Sequence, residues 1–62
     1  MDLVIAKRHK HGRFFEAVVM DRDSANEIVY ESELGFNKAG KRACADWMTV
    51  NAARVTLERT RP

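Results

Sequence analysis

Two histidines separated by one residue are the first candidates for chemistry in this chain. His9 and His11 lie in a segment typical of a strand or a turn, so both rings could face one side and bind a metal ion. No cysteine or carboxylate that would complete such a site lies near them in the sequence. The residues that surround the pair are basic: Lys7, Arg8, Lys10 and Arg13. Because these charges repel a cation, we interpret both histidines as solvated hairpin residues and predict no metal.

The single cysteine and a pair of glutamates are the remaining reactive groups. Cys44 falls on the apolar side of a predicted helix, where a buried and inert thiol is expected, and nothing nearby would lower its pKa. Glu31 and Glu33 share one face of a predicted strand, which is typical of a charged rim rather than of an acid/base pair. No glycine-rich phosphate loop is present. The sequence therefore predicts a protein that is not an enzyme and uses no cofactor or small-molecule substrate.

The length and composition limit the class of protein. The chain has 62 residues, 45% of them hydrophobic, which favours one folded domain over residues 1–62 and argues against disorder. One cysteine cannot form an internal disulfide, and no apolar run approaches the roughly 18 residues of a membrane span. No signal-peptide pattern opens the chain. We expect a small cytoplasmic protein, and because so short a chain has a limited core, we expect an oligomer.

The hydrophobic pattern predicts an α+β fold, in which a three-stranded antiparallel β-meander is followed by one α-helix packed on one face. The predicted strands cover residues 3–6, 14–20 and 27–34, and polar turns lie between them. Asn37 is the predicted N-cap of the helix. One stripe of the helix carries small and apolar residues: Phe36, Ala39, Gly40, Ala43, Cys44, Trp47 and Val50. Residues 51–62 are compatible with a helical extension, a short fourth strand or a tail.

One helix covers one face of such a sheet and leaves the other uncovered. Alternation predicts a helix-facing set: Leu3, Ile5, Phe15, Ala17, Val19, Ile28, Tyr30, Ser32 and Leu34. The opposite face then carries an apolar patch made of Val4, Ala6, Phe14, Val18, Met20 and Val29. Three carboxylates rim this patch: Glu16, Glu31 and Glu33. An exposed apolar patch of this kind is typical of a protein interface, so we expect a protein partner or a second copy, with a homodimer favoured.

Nucleic acid is the alternative partner. The formal charge of +2 says little, but the basic residues form two clusters. The first lies in the predicted hairpin and the second on the exposed helix face: Lys7, Arg8, Lys10 and Arg13, then Lys38, Lys41 and Arg42. Together they could contact a phosphate backbone as a small DNA- or RNA-binding module.

Our leading hypothesis from the sequence is a non-catalytic regulatory or inhibitory protein that acts by protein–protein contact. Its size and its segregated charges are typical of small phage- or mobile-element-encoded proteins that block a host machine which handles nucleic acid. On that hypothesis the glutamates of the sheet face would act as substitutes for phosphate. The nucleic-acid-binding module is the alternative.

Overall fold

Three antiparallel strands and one long helix follow one another along the chain. A computed structural model describes residues 2–60, with side chains for residues 2–51. The elements are β1 (Leu3–His11), β2 (Phe14–Asp21), β3 (Glu27–Gly35) and α1 (Lys38–Thr60), with a short 3-10 turn at Arg22–Ser24. The strands lie in the order β1-β2-β3, and both pairs are antiparallel. This arrangement confirms the predicted α+β meander followed by one helix.

The strand β1 is longer than its apolar residues predict. The sequence predicts a strand over residues 3–6, whereas β1 continues to His11. Aromatic pairs hold the extension against β2: the His9 ring centroid lies 5.2 Å from that of Phe15, and His11 lies 5.8 Å from Phe14. Cross-strand pairs of this kind contribute roughly 0.2–1 kcal/mol each. Lys7, Arg8 and Lys10 therefore lie within a strand, whose pleat sends alternate side chains to opposite faces.

A bulge in β3 decides which face Ile28 occupies. Val19 pairs with Tyr30, but Met20 pairs with Ile28, so Val29 is an extra residue in β3. Paired residues point to the same side of a sheet, so Ile28 lies with Met20 on the face away from α1. The prediction that Ile28 faces the helix is wrong, because a one-residue bulge reverses the alternation beyond it.

The core lies between α1 and the other face of the sheet. Ala17, Val19 and Cys44 are fully buried there. Six partly buried side chains pack against them: Leu3, Ile5, Tyr30, Phe36, Trp47 and Met48. The rings of Tyr30 and Trp47 are stacked, with centroids 5.2 Å apart. The predicted helix-facing residues of β1, Leu3 and Ile5, and Trp47 as an anchor of the helix are confirmed.

Besides Ile28, several residues predicted in this interface lie outside the core, and Phe15 is one of them, at 38% exposed. Ala39 and Leu34 are exposed, and Val50 is 62% exposed. Leu34 follows the irregular part of β3, where strict alternation has ended. Among the residues whose side chains are described, Met48 is the last of α1 to pack against the core, and Val50 is not part of that packing.

The first turn of α1 is fixed by a cap and by a close approach to the sheet. Asn37 is the N-cap, as predicted, because its Oδ1 accepts the Gly40 N–H at 3.0 Å. Gly40 is buried, and a Cβ on it would collide with the Gly35 carbonyl oxygen and lie 3.1 Å from the Ala17 Cβ. Only glycine permits this approach.

At its other end, α1 runs on to Thr60. The helical extension is therefore the correct alternative for the end of the chain, and no fourth strand forms within residues 2–60. Residues 61–62 lie outside the described part of the chain. Within that part, no helical segment combines the length and the apolar character that crossing a membrane requires.

Asp21 organises the connection from β2 to β3. Its carboxylate accepts the N–H groups of Asp2 at 3.2 Å and Asp23 at 3.0 Å, and the Ser24 hydroxyl at 3.3 Å. Burial alone would raise the pKa of Asp21, but these hydrogen bonds outweigh it and hold the pKa below the ordinary value of 3.8. The carboxylate therefore stabilises the turn in its ionised form.

Gly40→Ala should destabilise the fold even though alanine is the better helix former. The gain in helix propensity of about 1 kcal/mol is smaller than the roughly 1–3 kcal/mol cost of forcing a side chain into a packed site. Urea unfolding followed by Trp47 fluorescence measures the difference. The control Ala45→Gly, at an exposed position of α1, should lose about 1 kcal/mol from propensity alone. A Gly40→Ala variant more stable than the wild type would contradict the close approach.

Asp21→Asn should lower stability at neutral pH and make stability less sensitive to acid. A carboxyl whose pKa is lowered by folding stabilises the folded state above its unfolded-state pKa, and this contribution disappears as the pH falls through the folded pKa. The wild type and the variant should therefore differ in melting temperature at pH 7 and converge towards about pH 2. A difference that stays constant over this range would show that the carboxylate charge has no part in the turn.

Candidate functional site

The face of the sheet opposite α1 is divided into a charged half and an apolar half. The strand register defines three rows across it: Val4, Met20 and Ile28; Ala6, Val18 and Glu31; and Arg8, Glu16 and Gly35. We call this surface the open face, because within residues 2–51 the hydrophobic core lies wholly on the other side of the sheet.

An ion pair spans the charged half from one edge strand to the other. Arg8 on β1 donates from Nη1 to Oε2 of Glu31 on β3 at 2.7 Å. Since β2 lies between these strands, the pair must pass over it. Lys10 adds a second cation, with its Nζ 4.0 Å from Glu31 Oε1. Beneath these long side chains Val18 is fully buried and Glu16 is only 1% exposed.

Glu16 is the buried carboxylate of this surface. Its Oε2 accepts the backbone N–H of Glu33 at 2.7 Å, and its Oε1 lies 3.6 Å from the Nζ of Lys10. Glu33 has a φ of 61°, in the left-handed region that a glutamate rarely adopts. Glu16 pairs with Gly35 whereas Val18 pairs with Glu31, so β3 contains two extra residues opposite this part of β2. The carboxylate therefore holds the distorted part of β3 in place.

The apolar half of the open face consists of Val4, Met20 and Ile28, with Ala6 beside them in the next row. All four are partly exposed, and none packs against the core between α1 and the sheet. The pleat thus aligns one apolar residue from each strand into a row with solvent above it. Sequence reasoning placed Ile28 on the other face because the bulge at Val29 has no clear signal in the sequence.

The structure revises several of the predicted protein-binding residues. Val18 and Glu16 are covered by the ion pair, so they cannot provide contact area or an exposed rim. Phe14, 40% exposed, lies at the hairpin end against His11 and Gly35 rather than in the apolar row. The others keep an accessible position on the sheet: Val4, Met20, Val29, Glu31 and Glu33.

The predicted basic hairpin cluster is divided between the two faces. Arg8 and Lys10 lie on the open face, where Glu16 and Glu31 neutralise them. Lys7 lies on the helix side, with its Nζ 4.8 Å from the Phe15 ring centroid. The hairpin cations therefore do not form one cluster on a single face of the sheet.

The cations on the helix side gather around aromatic rings instead. The Lys41 Nζ lies 4.4 Å above the Phe36 ring, and the Lys7 Nζ lies 5.9 Å from the same centroid. Arg13, Lys38 and Arg42 complete the basic set and are all exposed. Phe36 packs against the core as the helix stripe predicts, whereas Phe15, predicted on the helix-facing side, is 38% exposed beside Lys7.

The thiol of Cys44 and the ring of His9 make contacts that belong to the fold itself. Burial raises the pKa of the Cys44 thiol, the charge of Glu16 raises it further, and a hydrogen bond with Ser32 lowers it only in part. A thiol with a raised pKa is a poor nucleophile at neutral pH. The His9 Nε2 donates to the Gly12 carbonyl oxygen at 2.7 Å, which closes the hairpin. Among the residues whose side chains are described, no three groups of the metal-ligating types lie together.

Comparison of this chain with protein-family models, with curated proteins and with solved structures finds no match. The function is therefore inferred from the open face and from the cations that lie beside Phe15 and Phe36 on the helix side.

Glu16→Ala should cost roughly 2–3 kcal/mol of folding free energy. The substitution leaves the partly buried N–H of Glu33 without its acceptor and removes a counter-charge of Lys10. Glu16→Gln should lose less, because an amide oxygen can still accept that hydrogen bond. Urea unfolding measures both changes.

Glu27→Ala is the matched control, since Glu27 is an exposed carboxylate of the same strand that Glu16 holds. Its effect should stay within about 0.5 kcal/mol, as is usual for surface substitutions. If Glu16→Ala were no more costly than Glu27→Ala, Glu16 would not be the residue that holds β3.

Proposed function

We propose that this chain is a small non-catalytic protein that acts by protein–protein contact, and that a second copy of the chain is the partner on its open face. The observation that carries this proposal is the row of Val4, Met20 and Ile28, which no described part of the chain covers. Apolar surface without a cover inside the molecule favours burial against another one. In a chain of 62 residues that burial would be a large fraction of the total core.

The charges of the open face favour a copy of the same chain as the partner. Its cations, Arg8 and Lys10, belong to β1, whereas the anion that they meet across the sheet, Glu31, belongs to β3. A surface with opposite charges on opposite edges is complementary to itself when one copy is rotated about an axis that runs along the strands. Two-fold dimers require such self-complementary surfaces.

The same rotation aligns the apolar row. It brings β1 of each copy over β3 of the other, so that Val4 meets Ile28 and Met20 meets its own counterpart. The next row brings Ala6 of each copy over Glu31 of the other, and Arg8, one row further along β1, then lies diagonally across from Glu31 of the second copy. Face-to-face sheets pack about 10 Å apart with strands roughly 30° from parallel, and this spacing is within the reach of Met and Arg side chains.

Such a dimer would act by contact and not by chemistry. The buried thiol and the solvated histidines supply no nucleophile or base, and the proposed interface uses the sheet for association only. The helix side of each copy stays exposed, so a dimer would present two identical outer surfaces to any further target. A regulatory or inhibitory role by occupation of a target surface is the function that this arrangement supports best.

Met20→Asp should convert the dimer to a monomer. Met20 lies at the centre of the apolar row, and in the proposed dimer two aspartates would face each other across the two-fold axis. Size exclusion with light scattering at roughly 50 and 500 mM salt measures the mass, since the higher salt screens the charges and leaves the apolar contact. We expect a dimer for the wild type at both salt concentrations and a monomer for the variant.

Val50→Asp is the matched control, because Val50 is an exposed apolar residue on the helix, away from the open face. It should remain dimeric, and circular dichroism should show that all variants are folded. A monomeric wild type, or a dimer that survives Met20→Asp, would exclude a second copy on this face. A monomeric wild type would indicate a different protein as the occupant.

A further inference from the structure

The hairpin end of the sheet carries a shallow cavity of about 430 Å³. Its lining comes from β1, the hairpin, the start of β2 and the link to α1: Lys7, Arg13, Phe14, Phe15, Gly35, Phe36 and Asn37. We call these residues, together with Lys41 above the Phe36 ring, the aromatic–basic surface. It contains three aromatic rings and three cations, and none of its members is acidic.

Two of these rings are exposed and do not belong to the core. Phe14 and Phe15 are 40% and 38% exposed, respectively. The Phe36 amide donates to the Phe15 carbonyl oxygen at 2.9 Å, which fixes the link between β3 and α1 beside these rings. Rings held on paired strands and on a bonded link form a rigid surface and lose little freedom when a ligand stacks on them.

No side chain of residues 2–51 neutralises the cations of this surface. Within residues 2–51, the described ion pairs involve Arg8 and Lys10, and none involves Lys7, Arg13 or Lys41. Lys7 and Lys41 instead lie against the faces of Phe15 and Phe36. These contacts hold the ammonium groups beside the rings without cancelling their charge.

We propose that the aromatic–basic surface binds single-stranded nucleic acid. Aromatic side chains provide faces on which unpaired bases stack without sequence preference, and neighbouring cations follow the phosphate backbone. A duplex keeps its base faces inside its own stack, so exposed phenyl rings favour a single strand. Two exposed rings, Phe14 and Phe15, correspond to two stacked bases, with Lys7, Arg13 and Lys41 placed for the adjoining phosphates.

This site differs from the nucleic-acid site that the sequence predicts. It keeps Lys7, Arg13 and Lys41, and it excludes Arg8 and Lys10 because Glu16 and Glu31 neutralise them on the other face. It also adds the phenylalanine rings, which supply the selectivity for unpaired bases. The inference is independent of the proposed dimer, because the apolar row of Val4, Met20 and Ile28 lies at the end of the sheet away from the hairpin.

Fluorescence polarisation with a labelled oligothymidylate, and with a mixed-sequence DNA strand free or in duplex, tests the proposal. We expect the wild type to bind the single strands more tightly than the duplex at low salt. Phe15→Ala and Phe14→Ala should each weaken binding roughly tenfold, the usual range for loss of one stacked base. Lys7→Ala and Lys41→Ala should weaken binding and reduce its dependence on salt by about one phosphate contact.

Arg22→Ala is the matched control, because it removes the same charge from the 3-10 turn at the opposite end of the sheet. It should bind as the wild type does. Absence of binding at low salt, preference for the duplex, or equal losses for Arg22→Ala and Lys7→Ala would each overturn the proposal. Met20→Asp should retain binding even as a monomer, so a failure of the dimer and a failure of this site are distinguishable.

Discussion

The hydrogen bond between the buried carboxylate of Glu16 and the backbone of Glu33 is the interaction on which the rest of the structure depends. It holds an amide whose own residue has a φ of 61° and is thus in an unfavourable conformation. The two extra residues that it accommodates bring β3 back into register at Gly35. The Gly35 carbonyl oxygen then lies against Gly40, where a side chain would prevent the first turn of α1 from packing. One carboxylate on the open face therefore sets the position of the helix on the other face.

The same carboxylate explains why the two sides of the sheet differ in charge. Glu16 and Glu31 attract Arg8 and Lys10 to the open face, where the four charges largely cancel. The pleat sends the intervening Lys7 to the helix side, where it meets aromatic rings instead of carboxylates. A basic stretch that is continuous in sequence thus becomes a neutral network on one face and part of a cationic surface on the other. The small net charge of the chain conceals this separation.

The sequence was sufficient for the fold class and for much of the core, because both depend on local patterns. Alternation in the strands, the Asn37 cap and the helix stripe through Cys44 and Trp47 are short-range signals, and the structure confirms them. The position of Ile28 was not predictable, since it depends on a bulge at Val29. A bulge arises from the balance of pairing along two strands, and nothing in the local alternation marks it.

The candidate surfaces were less predictable than the fold because they depend on distant residues. The burial of Val18 requires the ion pair between Arg8 and Glu31, which are 23 positions apart in the sequence. The sequence assigned Arg8 to a basic cluster and Glu31 to an acidic rim, and it did not predict that the two would pair. The exposure of Phe14 and Phe15 likewise depends on where β3 ends and α1 begins beside them. The sequence pattern alone therefore assigned Phe15 to the side that faces the helix. Each proposed contact uses a feature that exists only after all three strands are in register.

The two proposed contacts are compatible with each other because of the direction of the strands. A two-fold axis along the strands keeps both hairpin ends at the same end of the dimer, and it leaves Lys7, Phe15 and Phe36 of each copy on an outer side. Once one flexible strand of nucleic acid has bound the surface of one copy, its effective concentration at the surface of the other copy would be higher. A single three-stranded sheet is too narrow for two such surfaces, so pairing through the open face would give this short chain a longer binding path than one copy can provide.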